Sequence, residues 1–310
     1  MQKSHPIEKG ELYDHLLPAK RMAIIVNPKA GTNLQKNIES AVETHLNHKR
    51  FIYGLWLSEY PGHGFELAKK AVDEGYDIVV AVGGDGSINE IAPALIGTEV
   101  ALGIIPAGSG NGLAMHLGYG REIARAIKKL NNAEARLIDI GMMNDRPFIN
   151  VAGIGFDGLV SNLMKGSSQR GFVPYFLKSL EAGLTYTPRE CRIELDDKVI
   201  TEKCFVVAIA NGPMYGYNVQ IAPDAKLDDG FFEVVILKDV PKWQFFAAVP
   251  STLNGKIYEA DFVEHYTTHR VVIHADEPLH VHVDGEGLKM ETTLTFEIMP
   301  KALNILVPAK

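Results

Sequence analysis

Residues 78–90 read IVVAVGGDGSINE. The apolar run Ile78 to Val82 has the length and continuity of a strand buried on both faces. Gly83, Gly84, Asp85 and Gly86 break it, and a helical pattern starts at Ser87. A glycine turn between strand and helix lets backbone amides approach phosphate oxygens. Here, though, a carboxylate, Asp85, stands in the turn, and no P-loop lysine follows it.

The same alternation continues to either side. MAIIVNP (22–28), FIYGLWL (51–57) and VALGIIP (100–106) are apolar strands. Helical stripes lie between them, at 34–47 (Leu34, Ile38, Val42, Leu46), 64–74, 87–96 and 110–130, the last with a break near Gly118–Gly120. Buried strands alternating with helices predict an α/β domain with a parallel sheet covered on both faces. From about residue 135 the rhythm changes to short β segments such as KCFVVAIAN, FFEVVILK and LHVHVDGE, with helical patterns only near 158–185 and 241–254. Strand after strand predicts a mostly antiparallel, sandwich-like second domain. The expected division is an extension at 1–20, a first domain at 21–133 and a β-rich domain at 134–310.

The chain has 310 residues, 46% of them hydrophobic and 22% charged, ordinary values for a soluble globular protein. Its net charge of −7 argues against a nucleic-acid partner. No run approaches the roughly 18 apolar residues of a spanning helix, so no transmembrane segment is expected. The first 21 residues lack the apolar core of a secretory signal, and a cytoplasmic location is the expectation. Cys191 and Cys204 flank a hairpin whose turn lies near Asp196-Asp197-Lys198, and reduced thiols are expected.

Three loops follow three strands of the first half: NPKAG (27–31), GGDGSINE (83–90) and PAGSGNGLA (106–114). In an open α/β sheet, ligands bind beyond the carboxyl ends of the strands, so the three loops converge on one site. Glycines bring amides close to phosphate, the helix starts after Gly86 and Gly110 add positive character, and Ser87, Ser109, Asn27, Asn89 and Asn111 add neutral donors. The pattern is no dinucleotide fingerprint, because Asn89 stands where the third glycine belongs. Asp85 would repel a bare triphosphate but suits a nucleotide carried with Mg²⁺, which takes one or two carboxylates beside phosphates and waters. Glu90, one turn on, either orients the loop or is solvated.

The second half has two acidic turns. APDAKLDDGFFEV (222–234) is either a plain Asp-Gly turn or a cation site at Asp229 with backbone carbonyls. In HVHVDGEG (280–287), alternation would put His280, His282, Asp284 and Glu286 on one face unless Asp-Gly turns the chain. Asp284 or Glu286 suits a general base better than a transition-metal site. Asp157, in NVAGIGFDGLV (150–160), is either a helix cap or a contact for a substrate hydroxyl. Residues 159–189 hold Lys165, Arg170, Lys178 and Arg189 against Glu181 alone, with the apolar GFVPYFLKSL among them. That stretch reads equally as a packed helix or as a contact with anionic lipid.

Taken in order, VNPKAG, VGGDGSINE, IIPAGSGNGLA, GIGFDG, APDAKLDDG and VDGE resemble the diacylglycerol kinase-like lipid kinases, which include sphingosine and ceramide kinases. The resemblance runs from about residue 22 onward and implies a kinase of phospholipid metabolism with ATP in the cleft between two domains. It implies γ-phosphoryl transfer from ATP, with Mg²⁺, to a lipid hydroxyl, a diacylglycerol-like acceptor being favoured. Carried onto this chain, the nucleotide contacts are Asn27, Pro28, Lys29, Ala30, Gly31, Ser58, Gly83, Gly84, Asp85, Gly86, Ser87, Ile88, Asn89, Glu90, Gly108, Ser109, Gly110 and Asn111. Glu286, Asp284 and Asp85 are the implied catalytic acids. Asp157 lies near the lipid head group, and Asp229 with the carbonyls of Lys226 and Phe231 holds a structural Mg²⁺. The implied partner is lipid at the inner membrane face, met peripherally, with a homodimer left open.

One departure concerns the acceptor. Diacylglycerol kinases typically have Asn-Asp after the second glycine loop, whereas this chain has Asn111-Gly112, closer to sphingosine and ceramide kinases. MYGYN (214–218) also lacks the glycine run often found there. A kinase of soluble substrates resembling NAD kinase, which shares GGDG, and a non-catalytic lipid- or nucleotide-binding regulator are the other readings. The intact acids argue against the regulator.

Overall fold

The computed structural model describes residues 18–28, 34–164, 178–179, 181–183, 185–216 and 219–309. Most of the N-terminal extension, the contacts expected of Lys29, Ala30 and Gly31, and much of the basic 159–189 segment lie outside them.

The first half is the predicted α/β unit. Strands β1 (Lys20–Val26), β2 (Phe51–Leu57), β3 (Ile78–Gly83) and β4 (Ala101–Pro106) are parallel, in the order β2-β1-β3-β4. Helices α1 (Leu34–His45), α2 (His63–Asp73), α3 (Asp85–Ile91), α4 (Gly112–His116) and α5 (Ile123–Leu130) accompany them. Every residue of β3 and β4 is buried, as their unbroken apolar sequences require. The chain leaves β1 for one side of the sheet and returns to β3 on the other, so the order reverses between β1 and β3. A crevice forms at such a reversal, outside the carboxyl ends of the strands.

Two expected helix boundaries shift. The helix after β3 begins at Asp85 rather than Ser87, with Gly84 as its cap, so Asp85 occupies the first turn, where a carboxylate is favoured. The helix after β4 begins at Gly112, and the break near Gly118–Gly120 separates α4 from α5.

The second half is antiparallel. It comprises β5 (Glu134–Met143), β6 (Arg146–Phe148), β7 (Val151–Gly155), β8 (Arg189–Glu194), β9 (Val199–Ala210), β10 (Phe232–Lys238), β11 (Val263–Thr268), β12 (Arg270–Leu279), β13 (Val281–Val283), β14 (Glu286–Gly287) and β15 (Glu291–Val307). Its helices include α6 (Phe156–Met164), α7 (Lys242–Ala247) and α8 (Val249–Leu253). Period-two alternation divides the core. Phe232, Val234 and Ile236 of β10 enter one cluster with Ile154 and Phe296, and Val235 and Leu237 enter another with Phe156 and Phe205. Cys191 and Cys204 are buried in the first cluster as free thiols, diagonal to each other across the β8–β9 pair.

The halves share one strand. β15 pairs antiparallel with β12 and β5, shifts register between Met299 and Leu303, and meets β4 in parallel at Ile305↔Leu102. Leu303, Ile305 and Leu306 therefore belong to the core of the first half. The boundary expected at residue 134 coincides with the start of β5, itself a partner of β15.

Candidate active site

Asn27, just after β1, and the loops after β3 and β4 border one cleft of about 780 Å³. Asn27, Gly84, Asp85, Gly86, Ser87, Gly108, Ser109 and Gly110 line its first-half wall. The opposite wall includes Asn150, Asp157, Tyr215, His282, Asp284 and Gly285.

The two glycine loops touch back to back. A Cβ on Gly108 would lie 2.4 Å from the Cα of Gly84, a distance no side chain allows, so glycine is required for this approach. Gly108 and Ala107 both donate their amides to the carbonyl of Gly83. Asn111, at φ 55°, closes the second loop on itself: its Oδ1 accepts from the Gly108 amide at 3.1 Å and its Nδ2 donates to the Gly108 carbonyl at 2.7 Å. Its amide therefore serves the loop rather than facing the cleft.

Asp85 faces the backbone amides of Asn111, Gly112 and Leu113. Burial pushes its carboxyl above the ordinary range in spite of those amides. Its Oδ1 is buried without a hydrogen-bond partner. An orphaned carboxylate oxygen in a cleft lined by glycine loops fits a hard divalent cation, which takes oxygen ligands.

The other first-half candidates are placed as follows. Ser58, at the end of β2, is buried, donates its amide to Val26 and does not line the cleft. Ile88 is a core side chain. Glu90 turns away, accepting the Gly64 amide at 3.0 Å at the start of α2. Asn89 reaches across to the second half, donating to the carbonyl of Asp284 at 3.2 Å.

Asp284 and Gly285 form the turn between β13 and β14, at φ 46° and 80°, so the alternation from His280 to Glu286 is broken there. The Asp284 carboxylate is pinned: Oδ2 accepts from the Ile149 amide at 2.7 Å, and Oδ1 from those of Asn150 and Val151 at 2.9 Å each. Burial nonetheless raises its carboxyl above the usual range. Glu286 is exposed and lines a smaller neighbouring cavity of about 190 Å³ with Asn89 and Arg146, which Asp284 also borders.

Asp157, in the first turn of α6, is bound to two residues with unforeseen roles. Its Oδ2 accepts from the Tyr215 hydroxyl at 2.8 Å and lies 2.9 Å from His282 Nε2. Tyr215 lies in MYGYN, which stood out in the sequence only for its missing glycine run. His282 stood out through alternation, but as a metal ligand. Asp157 and Tyr215 also border an apolar cavity of about 140 Å³, walled by Phe156, Phe245, Phe246, Leu253 and Phe262 and covered by α7 and α8.

The 226–231 turn is held from below by a residue absent from the expectations. Asp139, fully buried, accepts the Gly230 amide through Oδ2 and the Lys301 amide through Oδ1. Asp229 accepts the Phe231 amide at 3.2 Å, and the Lys301 ammonium donates to the carbonyl of Asp228. Among the described residues no group of three or more His, Cys, Asp or Glu gathers as metal ligands. None of the described helices is long and apolar enough to cross a membrane.

Known proteins resemble both halves of the chain. Residues 21–143 match the family model for the diacylglycerol kinase catalytic domain. Residues 150–307 match that for the YegS C-terminal NAD kinase beta sandwich-like domain. The chain is 30% identical to the diacylglycerol kinase of Bacillus subtilis (strain 168), over 86% of this chain and 90% of the relative. It is 32% identical to a probable lipid kinase YegS-like of Chromohalobacter salexigens, over 80% and 81% respectively. A solved diacylglycerol kinase from Bacillus anthracis str. Sterne superposes at a TM-score of 0.70 with 19% identity, covering 94% of this chain and 97% of that one, which shows the shared fold.

Proposed function

The chain belongs to the diacylglycerol kinase-like family of lipid kinases, and from that premise we propose that it transfers the γ-phosphate of ATP, with Mg²⁺, to the hydroxyl of a diacylglycerol-like lipid. One observation carries this reading. The cleft lined by glycine loops and the apolar cavity share Asp157, Tyr215 and Val219 as walls, which would give phosphates one side and a lipid chain the other.

On this reading the first half is the nucleotide domain and the second the lipid domain. The amides of Gly84, Gly86, Gly108 and Gly110 and the hydroxyls of Ser87 and Ser109 bind the phosphates, with Asn27 at the rim. Asp85, through its unpartnered oxygen, holds Mg²⁺, which when bound offsets phosphate charge and polarises the transferred group. Asp157 positions the lipid hydroxyl. The proton acceptor is assigned to Glu286, one residue beyond the cleft-lining Gly285, because backbone amides engage both oxygens of Asp284. Asp229, with the carbonyls of Lys226 and Phe231, is the candidate for a second, structural Mg²⁺. The lipid is met at a membrane surface. Trp243, 73% exposed, and Leu253, 39% exposed, lie on the helices that cover the apolar cavity and are the proposed contact.

A sphingoid base or ceramide is the second reading, favoured by Gly112. A Cβ there would stand 2.9 Å from the Tyr215 carbonyl, so the loop carrying Tyr215 fills the space an aspartate would need. The test is a phosphorylation assay of purified protein on a lipid panel with mass readout, NAD included. Phosphatidic acid from diacylglycerol is the expected product. Turnover of NAD alone, or none of any lipid, would overturn the proposal.

A further inference from the structure

Asp157 and Tyr215, which border both the cleft and the apolar cavity, meet at this neck with His282, which lines the cleft, and the three come from separate parts of the chain. Asp157 comes from α6, Tyr215 from the loop after β9 and His282 from β13. His282 is 1% exposed and Asp157 9%. Three donors converge on the carboxylate. Oδ2 accepts from Tyr215 Oη at 2.8 Å and faces His282 Nε2 at 2.9 Å, while Oδ1 accepts from the Gly158 amide at 2.8 Å.

The other edge of the imidazole faces the turn of the Asp284–Glu286 motif. His282 Nδ1 lies 3.3 Å from the amide nitrogen of Gly285. A backbone amide can only donate, so Nδ1 accepts, and a neutral ring then carries its proton on Nε2, aimed at Asp157. One ring thus joins the carboxylate at the neck to the turn next to Glu286.

Packing alone does not ask for this arrangement. A buried imidazole–carboxylate pair is costly to desolvate, and apolar residues of similar volume often stabilise as well or better. The surrounding wall is also cut back to admit it. A Cβ on Gly153 would lie 2.5 Å from Asp157 Oδ2 and 2.9 Å from His282 Nε2. Gly112 makes the corresponding room for the Tyr215 loop.

We infer that His282 and Tyr215 are positioning residues for the acceptor lipid. They fix the orientation of Asp157 at the neck, and His282 couples that grip to the turn bearing Glu286. The inference rests on the lipid-kinase reading, and it separates two side chains that touch the same oxygen from the general core.

The test uses full-length His282→Ala, His282→Gln and Tyr215→Phe proteins with diacylglycerol in phosphatidylglycerol vesicles. The Gln side-chain amide can replace the Nε2 donor, whereas Ala cannot. In His282→Ala the lipid KM rises about tenfold or kcat falls by as much, with the ATP KM unchanged, and His282→Gln recovers most of the loss. Tyr215→Phe raises the lipid KM in the same direction. Equal behaviour of the Ala and Gln variants, or parallel shifts in the ATP and lipid KM, would overturn the inference.

Should His282→Ala fail to fold, ¹⁵N-histidine NMR of the wild-type chain decides. A proton on Nε2 whose signal moves in Asp157→Asn supports the coupling, and a proton on Nδ1 refutes it. Wild-type turnover is measured first. An inactive wild type overturns the proposed function, while the NMR result still judges the His282–Asp157 pair.

Discussion

Asp85 carries a stability cost that its proposed role explains. Burial raises its folded-state carboxyl above the unfolded value of about 3.9. The folded protein therefore holds that proton more tightly, and stability falls as pH rises through the interval between the two values. Asp85→Asn is expected to raise Tm at pH 7.5 in metal-free buffer, with the gain vanishing below about pH 4, while phosphoryl transfer drops by about 10² or more. Calorimetry at both pH values checks the sign. The two acids of the VDGE motif separate by a different signature. Glu286→Gln should lower kcat by about 10²–10⁴ while costing less stability than Asp284→Asn. Asp284→Asn disturbs three backbone amides and should lower stability by about 1–3 kcal/mol as well as activity, as thermal melts beside turnover assays would show. Asp85 and Asp284 were marked in the sequence because each sits in a local turn signature, and both line the cleft. The role of Tyr215 was not marked, because its partner Asp157 is 58 residues away and the MYGYN loop stood out only for its missing glycine run. Asp139 was hidden likewise, its partners at Gly230 and Lys301 being brought to it only by β5 and β15.

At the level of elements, strand and helix alternation foretold the convergence of the three loops, because parallel order places their ends on one edge. What it could not foretell was how close two of them come. The contact of Gly84 with Gly108 is tertiary, and only the paired backbones reveal it. Gly108→Ala must push the two loops apart. The expected result is a rise in the ATP KM with the lipid KM little changed, the opposite pattern to His282→Ala, and steady-state kinetics with each substrate varied in turn would detect it. Helix boundaries were the less legible feature. The glycines after β3 look like loop, yet Gly84 caps α3 and Asp85 already lies in its first turn. The Asp-Gly step in VDGE behaved as turn chemistry predicts, breaking the alternation that would have gathered His280, His282 and Glu286.

For the whole molecule, the proposed function requires a lipid to reach the neck from a surface, and α7 carries an exposed indole, Trp243. The chain has two tryptophans, and the other, Trp56, packs against Tyr76 in the first half. Anionic vesicles should therefore shift tryptophan emission to the blue in the wild type and not in Trp243→Phe. Trp243→Ala should weaken vesicle sedimentation several-fold while leaving turnover of a short-chain, water-dispersed diacylglycerol intact. An unchanged vesicle affinity would remove α7 from the membrane contact. The change from alternating strands and helices to successive strands was legible in the rhythm of the sequence near residue 134. The sharing of β15 was not, since an apolar β segment says nothing of which sheet it will join.

That shared strand has a consequence for biosynthesis. The open flank of β4 is covered only when Ile305 arrives beside Leu102, so a nascent chain carries an unpaired sheet edge through the making of the entire second half. The nucleotide half is encoded early and finished late. A ribosome stalled anywhere before β15 would hold a nearly complete α/β unit with one adhesive side, the kind of intermediate that chaperones shield.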